Sequence, residues 1–116
     1  MENQYALGID IGGTSTEYGV VNKIGEVIYE FDFPTKSFNE PQELVDAIYK
    51  DLEDKGYLKQ LIGIGVGAPN GNYFTGNIEY APNLTWKGIV PLAKMFEHTF
   101  GIPALLTNEA NAAAMG

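Results

Sequence analysis

The chain has 116 residues, 45% of them hydrophobic and 19% charged, which is enough for one domain around one core. Its 15 acidic and 7 basic residues give a net charge of -8, so its surface would repel a phosphate backbone, and we expect no nucleic-acid partner for this domain. With no cysteine and a single histidine, the sequence has no zinc cluster of the usual ligand types. It also lacks an apolar run near the roughly 20 residues of a membrane span and a signal-peptide pattern at its N-terminus, so we expect a cytoplasmic protein without a membrane partner.

Three apolar runs at the start of the chain are predicted strands joined by tight turns. The first is Tyr5 to Ile11, and Glu17 to Val21 follows after a few residues. A turn at residues 22–25 then leads into Glu26 to Phe33, where valine and aromatic residues alternate with mostly acidic ones. This pattern predicts an antiparallel meander with one edge partly exposed to water.

The sequence period changes after residue 38. Asn39 is a candidate helix cap with Gln42 three residues later, and apolar residues follow at helical spacing until about Gly56. Leu61 to Ala68 is the next predicted strand, and its alternate residues 63, 65 and 67 are glycines. Because small residues leave one face bare, we expect a helix or a ligand to lie close against it.

The rest of the chain contains one predicted loop, two predicted helices and one predicted strand. Residues 69–83 form a predicted loop with a small hairpin, 72–74 against 78–80, and a helix is predicted from Val90 to Phe100. A buried strand is predicted from Pro103 to Thr107, with a third helix from Glu109 onward. Since two strands each follow a helix, we predict an α/β domain with a mixed five-stranded sheet and helices on both faces.

A glycine-rich turn is predicted where the first strand ends. Asp10 lies at the strand end, and Gly12 and Gly13 expose backbone N–H groups that could cradle phosphate oxygens. Neither the Gly-x-Gly-x-x-Gly dinucleotide pattern nor the lysine-containing phosphate loop is present. A plain hairpin turn with a solubilising acid fits this local pattern at least as well.

Two other polar spots also follow predicted strands or lie in loops. Asn83 and Trp86 combine an amide with an aromatic ring, which suits a sugar, although a turn cap and a helix anchor explain the pair at least as well. Asn108 and Glu109 lie at the carboxyl end of a predicted parallel strand, where open α/β sheets place their ligands. A helix cap with an acid in the first turn is the alternative there.

Four motifs occur in order along the chain. They are LGIDIGGTSTEYGVV at 7–21, GIGVGAPNGN at 63–72, YAPNLTWKGIVPL at 80–92 and GIPALLTNEANAAAMG at 101–116. Together they resemble the N-terminal lobe of the ROK family of bacterial sugar kinases and sugar-responsive repressors, within the actin-like ATPase superfamily. The resemblance implies a ribonuclease H-like fold, in which residues 1–116 form one lobe and the C-terminal lobe is missing from this chain.

The resemblance also implies a nucleotide site. Asp10 would orient Mg²⁺ through water rather than bind it directly, and Gly12, Gly13 and Thr14 would form the first phosphate loop around ATP. The family usually has a lysine after Gly-Gly-Thr, and this chain has Ser15 there. Because such a loop acts through backbone donors, we expect it to tolerate the change.

In the same way the resemblance implies a hexose site. Asn83 and Asn108 would hydrogen-bond the sugar hydroxyls, helped by the backbone near Asn70 and Gly71. Glu109 would be the catalytic base, which takes the proton from the sugar hydroxyl as it attacks the γ-phosphate. The family usually has aspartate at this position, and one more methylene would carry the carboxylate about 1.5 Å too far unless the backbone or side chain adjusts. A misplacement of that order costs about 100-fold in rate.

Three function classes follow from the sequence. The first is a lobe of an ATP-dependent, glucokinase-like hexose kinase, which we expect to be inactive in isolation and to form a homo-oligomer through its unpaired surface. The second is the sugar-sensing domain of a ROK transcriptional repressor, which would carry a helical DNA-binding domain ahead of this fold. The third is a non-catalytic sugar-binding module, because Glu109 departs from the family pattern.

Overall fold

The computed structural model describes residues 4–82 and 84–108, which form a large sheet, a small sheet and two α-helices. The strands are β1 Tyr5–Ile11, β2 Ser15–Val21, β3 Val27–Pro34, β4 Leu61–Ala68, β5 Gly71–Asn72, β6 Asn77–Glu79, β7 Ile89–Val90 and β8 Ala104–Asn108. The helices are α1 Pro41–Lys55 and α2 Leu92–Phe100. Neither helix in this part of the chain has the length and hydropathy needed to cross a bilayer.

The large sheet has the strand order β3-β2-β1-β4-β8. β1, β2 and β3 pair antiparallel in chain order, whereas β4 lies parallel to β1 and β8 lies parallel to β4. A helix lies in each parallel connection, because a tight hairpin cannot join two parallel strands. The predicted α/β class is therefore confirmed, and so is the mixed five-stranded sheet that begins with an antiparallel meander.

One face of the large sheet carries the hydrophobic core. Along β1, Leu7, Ile9 and Ile11 are buried, whereas the alternate residues are exposed. α1 and α2 cover this face, and they meet where the rings of Tyr49 and Phe100 lie 5.2 Å apart. The fully buried residues of α1 recur at helical spacing, as predicted: Leu44, Val45, Ile48 and Leu52.

The opposite face of the large sheet is exposed around a row of glycines. Gly8 of β1 lies between Gly19 of β2 and Gly65 of β4. A Cβ on Gly8 or Gly65 would meet nothing within 4 Å, so the neighbour predicted for this bare face is not among the described residues. The helix predicted from Glu109 onward also lies outside them.

The predicted cap of α1 is wrong by one residue. The cap is Glu40 and not Asn39: the Glu40 side chain accepts from the backbone of Glu43, and the Glu40 N–H donates to Glu43 Oε1 at 3.0 Å. The reason is Pro41, which suits the first helical position and forces the residue before it into an extended conformation. α1 ends as predicted at Gly56, which has a left-handed φ of 82°.

The small sheet has the order β5-β6-β7. Its first two strands form a hairpin in the predicted region, but the predicted register, 72–74 against 78–80, is wrong. Gly71 lies opposite Ile78 and Asn72 opposite Asn77, so the connection is residues 73–76. The helix predicted from Val90 starts instead at Leu92, because Val90 pairs with Ile78 in β6 and Pro91 separates this strand from the helix. The N–H of Ala93 in α2 donates to the carbonyl of Gly76 at 3.0 Å, which joins the small sheet to the helix.

Asp51 ties α1 to the meander. The hydroxyls of Tyr18 and Tyr29 donate to Asp51 Oδ2 at 2.6 and 2.7 Å, and Lys55 Nζ lies 3.3 Å from Oδ1. Burial raises the pKa of Asp51, but the hydrogen bonds from the two tyrosines and Lys55 outweigh it, so this pKa is lowered. Burial and the bond to Asp51 raise the pKa of Tyr29 to about 12 and hold that of Tyr18 well above its ordinary value.

We expect Asp51→Asn to lower the free energy of unfolding at pH 7 by about 1–3 kcal/mol, because charge-assisted hydrogen bonds to two elements are weakened. Since the pKa of Asp51 is depressed on folding, this stability is fully present above the unfolded pKa of about 4 and is lost as the pH falls through the folded value. Urea unfolding at pH 7 and pH 3 should therefore show a difference between wild type and variant that shrinks in acid.

The matched control for this experiment is Asp54→Asn. Asp54 pairs with Lys50 at 3.3 Å, but both side chains are more than half exposed. We expect a change of no more than about 0.5 kcal/mol. Equal effects of the two substitutions, or a difference for Asp51→Asn that does not depend on pH, would contradict the role given to Asp51.

Candidate functional site

Thr35 holds the turn between β1 and β2 in place through two hydrogen bonds to its carbonyl groups. Within the turn, the N–H of Gly12 donates to the carbonyl of Ser15 at 2.9 Å. Thr35 Oγ1 donates to the carbonyl of Gly12 at 2.7 Å, and the Thr35 N–H donates to the carbonyl of Thr14 at 3.0 Å. The buried Thr16 hydroxyl lies 2.8 Å from Thr35 Oγ1. Two carbonyls of the turn are therefore held on the protein side.

This arrangement turns a backbone donor outward. In a trans peptide a carbonyl and the N–H that follows it point in opposite directions, and none of the described peptide bonds is cis. Because the carbonyl of Gly12 points toward Thr35, the N–H of Gly13 points away from it. A Cβ on Gly12 would lie 3.1 Å from the carbonyl oxygen of Ser15, so the turn itself explains this glycine. Phosphate binding by residues 12–14 stays a prediction.

Asp10 lies in a row of carboxylates on the exposed face of the large sheet. It sits between Glu17 of β2 and Gly67 of β4, and Glu17 in turn lies opposite Asp32 of β3. All three acids of this acidic row (Asp10, Glu17 and Asp32) are exposed. Like charges on neighbouring strands repel each other, so a cation bound nearby would reduce the repulsion among the three carboxylates. The described residues contain no group of three potential ligands placed to hold a metal by themselves.

An open cavity of about 540 Å³ lies between the small sheet and the carboxyl end of β8. Its lining brings together three residues predicted for the sugar site, Asn70, Gly71 and Asn108. The remaining lining residues are Asn72, Tyr73, Phe74, Glu79 and Thr107. The predicted sugar ligand Asn83 and the predicted base Glu109 lie outside the described residues.

The floor of the cavity depends on the two residues Asn70 and Gly71. A Cβ on Gly71 would collide with the carbonyl of Thr107, so only glycine allows β5 to lie this close to β8. Asn70 has a left-handed φ of 56°, and its Nδ2 donates to the carbonyls of Glu79 and Tyr80 at 3.0 and 3.2 Å. The amide nitrogen of Asn70 therefore holds the loop.

Asn72 and Glu79 are lining residues that the sequence interpretation missed. Asn72 Oδ1 accepts from the N–H groups of Phe74 and Thr75, and Asn72 Nδ2 donates to Glu79 Oε1 at 3.1 Å. Thr75 Oγ1 donates to Glu79 Oε2 at 3.3 Å. An asparagine that opens the run Asn-Tyr-Phe-Thr-Gly is the local signal for such a side-chain turn.

Trp86 is an anchor and cannot stack on a sugar. It is only 3% exposed, and its Nε1 donates to the carbonyl of Phe38 at 3.0 Å. The sugar-stacking interpretation of this residue is therefore wrong. It fastens its loop to the segment that precedes α1, where an indole N–H finds the acceptor that burial demands.

Comparison with known proteins gives a consistent result. The model of the ROK family matches residues 6–116. The glucokinase of Streptomyces coelicolor is 34% identical over 111 residues, which are 95% of this chain and 34% of that enzyme. The xylose repressor of Caldicellulosiruptor bescii is 33% identical over 117 residues, which cover 95% of this chain and 29% of the repressor.

A solved structure shows the same similarity in three dimensions. The ROK family glucokinase from Streptomyces griseus, in complex with glucose and AMPPNP, matches with a TM-score of 0.75 and 31% identity. The match covers 95% of this chain and 35% of that one. This chain therefore spans about a third of the length of the relatives that it resembles.

We expect Thr35→Val to loosen the turn at residues 12–15, because it leaves the Gly12 carbonyl and the Thr16 hydroxyl without their partner. The free energy of unfolding should fall by about 1–3 kcal/mol, and the amides of Gly12 and Thr35, which donate to carbonyls of the turn, should exchange their hydrogens faster. Urea unfolding and hydrogen exchange would measure the two effects.

Two further variants separate this effect from a general cost of substituting threonine. Thr35→Ser keeps the hydroxyl and should retain most of the protection. Thr85→Val makes the same chemical change at an exposed position and should alter stability by no more than about 0.5 kcal/mol. If Thr35→Val and Thr35→Ser behave alike, Thr35 does not fasten the turn.

Proposed function

The chain belongs to the ROK family, and from this premise we propose that it is the N-terminal lobe of a glucokinase-like, ATP-dependent hexose kinase. One observation carries the proposal. The strand registers place Asp10, Gly67 and Thr107 side by side on β1, β4 and β8. Two strand spacings of about 4.8 Å separate the first residue from the last, so the glycine turn and the cavity open at the same end of the sheet, about 10 Å apart.

In this proposal the cavity holds the acceptor sugar. Asn108 and the backbone at Asn70 and Gly71 hydrogen-bond its hydroxyls, and Asn83 adds another contact. Glu109 follows Asn108 directly in the chain and acts as the general base, which removes the proton from the attacking hydroxyl. The structure of the Streptomyces griseus relative in complex with glucose and AMPPNP supports a sugar site of this kind. That the sugar is a hexose such as glucose is, for this chain, part of our proposal.

The turn between β1 and β2 receives the phosphates of ATP. With the carbonyls of Gly12 and Thr14 bound to Thr35, the N–H of Gly13 points away from Thr35, and in this proposal it donates to a phosphate oxygen. Backbone donors of this kind position the nucleotide without adding a charge. The transfer then depends on holding the γ-phosphoryl group in line with the sugar hydroxyl.

The acidic row fits a magnesium ion that is held mainly by phosphates and water. Mg²⁺ keeps several waters and takes one or two carboxylates in nucleotide sites. Asp10 would contact it through water. When bound, the ion neutralises the charge that develops on the phosphoryl oxygens.

The proposed enzyme is larger than this chain. Because the chain covers about a third of its relatives, we propose that residues 1–116 form one lobe and that the rest of the sugar and nucleotide sites lies in a second lobe. We further propose a cytoplasmic protein that acts as a homo-oligomer. The 116-residue lobe by itself is not expected to phosphorylate sugar.

The second candidate is the sugar-sensing domain of a repressor, which the similarity to a xylose repressor supports. Such a protein would share the sugar cavity but would not need a working base. A basic helical domain in the same gene, together with sugar binding in the absence of turnover, would favour this function over the kinase.

We expect Asp10→Asn in the full-length protein to abolish ATP-dependent sugar phosphorylation while slightly increasing stability. The substitution removes one of three neighbouring like charges, a gain of a few tenths of a kcal/mol. The control is Asp32→Asn, which removes a charge from the far end of the same row and should give a similar gain with turnover unchanged. Loss of turnover in both variants would show that the row acts as a whole and not through Asp10.

We expect Glu109→Gln to lower kcat by 100- to 10,000-fold with little change in KM for the sugar, because the amide cannot accept the proton. Glu109→Asp keeps the carboxylate and should stay within about 100-fold of wild type in either direction. A coupled assay with glucose, N-acetylglucosamine and N-acetylmannosamine would measure both variants. Unchanged turnover in Glu109→Gln would remove Glu109 from the mechanism.

A further inference from the structure

Two aromatic side chains stand at the rim of the cavity. Tyr73 is 55% exposed and Phe74 is 97% exposed, yet both belong to the lining. Their ring centroids lie 5.7 Å apart with the planes inclined at 48°. Two neighbouring aromatic rings thus present an exposed apolar surface beside polar lining groups.

The backbone that carries these rings is firmly held. The side chain of Asn72 accepts from the N–H of Phe74 at 2.9 Å, and its carbonyl accepts from the N–H of Gly76 at 2.8 Å. The tip of the hairpin also rests on α2, because a Cβ on Gly76 would lie only 3.0 Å from the Cβ of Ala93. The exposure of the rings is therefore a feature of an ordered loop, and binding a ligand there would cost little ordering of the backbone.

The lining combines polar and aromatic groups. Asn70, Gly71 and Asn108 contribute amide and backbone groups to the lining, and Tyr73 and Phe74 contribute aromatic rings. Glu79 does not place a free carboxylate between them, because its two oxygens accept from Asn72 and Thr75. Polar groups that fix one ring, followed by an aromatic surface, suit a ligand with hydroxyls on one part and a C–H-rich face on the next.

We propose that Tyr73 and Phe74 form a stacking subsite for a C–H-rich group attached to the hexose, either a second pyranose ring or an acetamido methyl group. This inference rests on the proposed sugar site. Because the cavity is open to one side, a group attached to the bound ring can extend over Tyr73 and Phe74. The subsite makes these two residues determinants of sugar specificity.

The experiment is calorimetric binding to the full-length protein. Glucose, N-acetylglucosamine and cellobiose are compared on the wild type, Phe74→Ala and Phe74→Tyr. In Phe74→Ala, loss of one stacking contact should raise the Kd of N-acetylglucosamine or cellobiose about 5-fold, whereas the Kd of glucose should change by less than 2-fold. Phe74→Tyr keeps an aromatic ring and should bind all three sugars with about the wild-type affinity. Whether cellobiose or N-acetylglucosamine responds identifies the group that stacks.

Ile24→Ala is the matched control, because Ile24 is 79% exposed on the turn between β2 and β3 and does not line the cavity. It should leave the affinity for all three sugars unchanged. Equal weakening of glucose and the substituted sugars by Phe74→Ala, or no weakening of any, overturns the subsite. The subsite is also overturned if Phe74→Ala changes the oligomeric state in sedimentation but leaves the preference among the three sugars unchanged.

The two levels of proposal fail in different ways. If the wild type binds none of the three sugars, the proposed function itself is wrong. If it binds glucose normally and Phe74→Ala does not change the preference among sugars, the sugar site stands and only the subsite is lost.

Discussion

The parallel pairing of β4 with β1 on one side and β8 on the other fixes the positions of the candidate site residues. It brings the carboxyl ends of three strands to one edge of the sheet, which is where open α/β sheets bind ligands. A slip of one residue in β1 would move Asp10 into the core and Ile9 onto the exposed face. The core therefore does more than stabilise the domain, because it also keeps Asp10 in register with the cavity.

A second constraint is the close approach of β5 to β8. Since any side chain at position 71 would collide with Thr107, the small sheet can lie against the large one only at a glycine. Asn70 and Asn72 then use their amide nitrogens to hold the loop together. Asn70 and Asn72 line the cavity, but part of their hydrogen-bonding capacity is used within the loop, so they determine the shape of the cavity as well as its chemistry.

The sequence predicts the parts of this fold that carry a strong local period. The bounds of β1 and β4 agree with prediction, because buried strands between turn residues have a clear pattern. β7 has only two residues, Ile89–Val90, and exists because Ile78 pairs with Val90 across a loop. A pairing of that kind has no local period, so the sequence predicts Val90 as the first residue of the neighbouring helix instead.

The residues of the candidate site could be predicted less well from the local sequence pattern. The turn at residues 12–14 and Asn108 each have an ordinary structural explanation, and only the family resemblance favours a ligand site over it, so both roles stay predictions. Thr35 could not be found at all, since its partner Gly12 lies 23 residues away and only the folded meander brings them together. Side chains that position a site through tertiary contacts carry no signal in the neighbouring sequence.

The charge of the domain constrains how it could bind a nucleotide. The chain carries a net charge of -8, and the acidic row lies beside the turn that would receive the phosphates. Ser15 supplies no positive charge at this turn, and backbone N–H groups contribute only partial charges. Free ATP would therefore meet a repulsive field, whereas its magnesium complex would carry the neutralising charge with it. Under the proposed function, the cation is needed first for binding and only then for the transfer of the phosphoryl group.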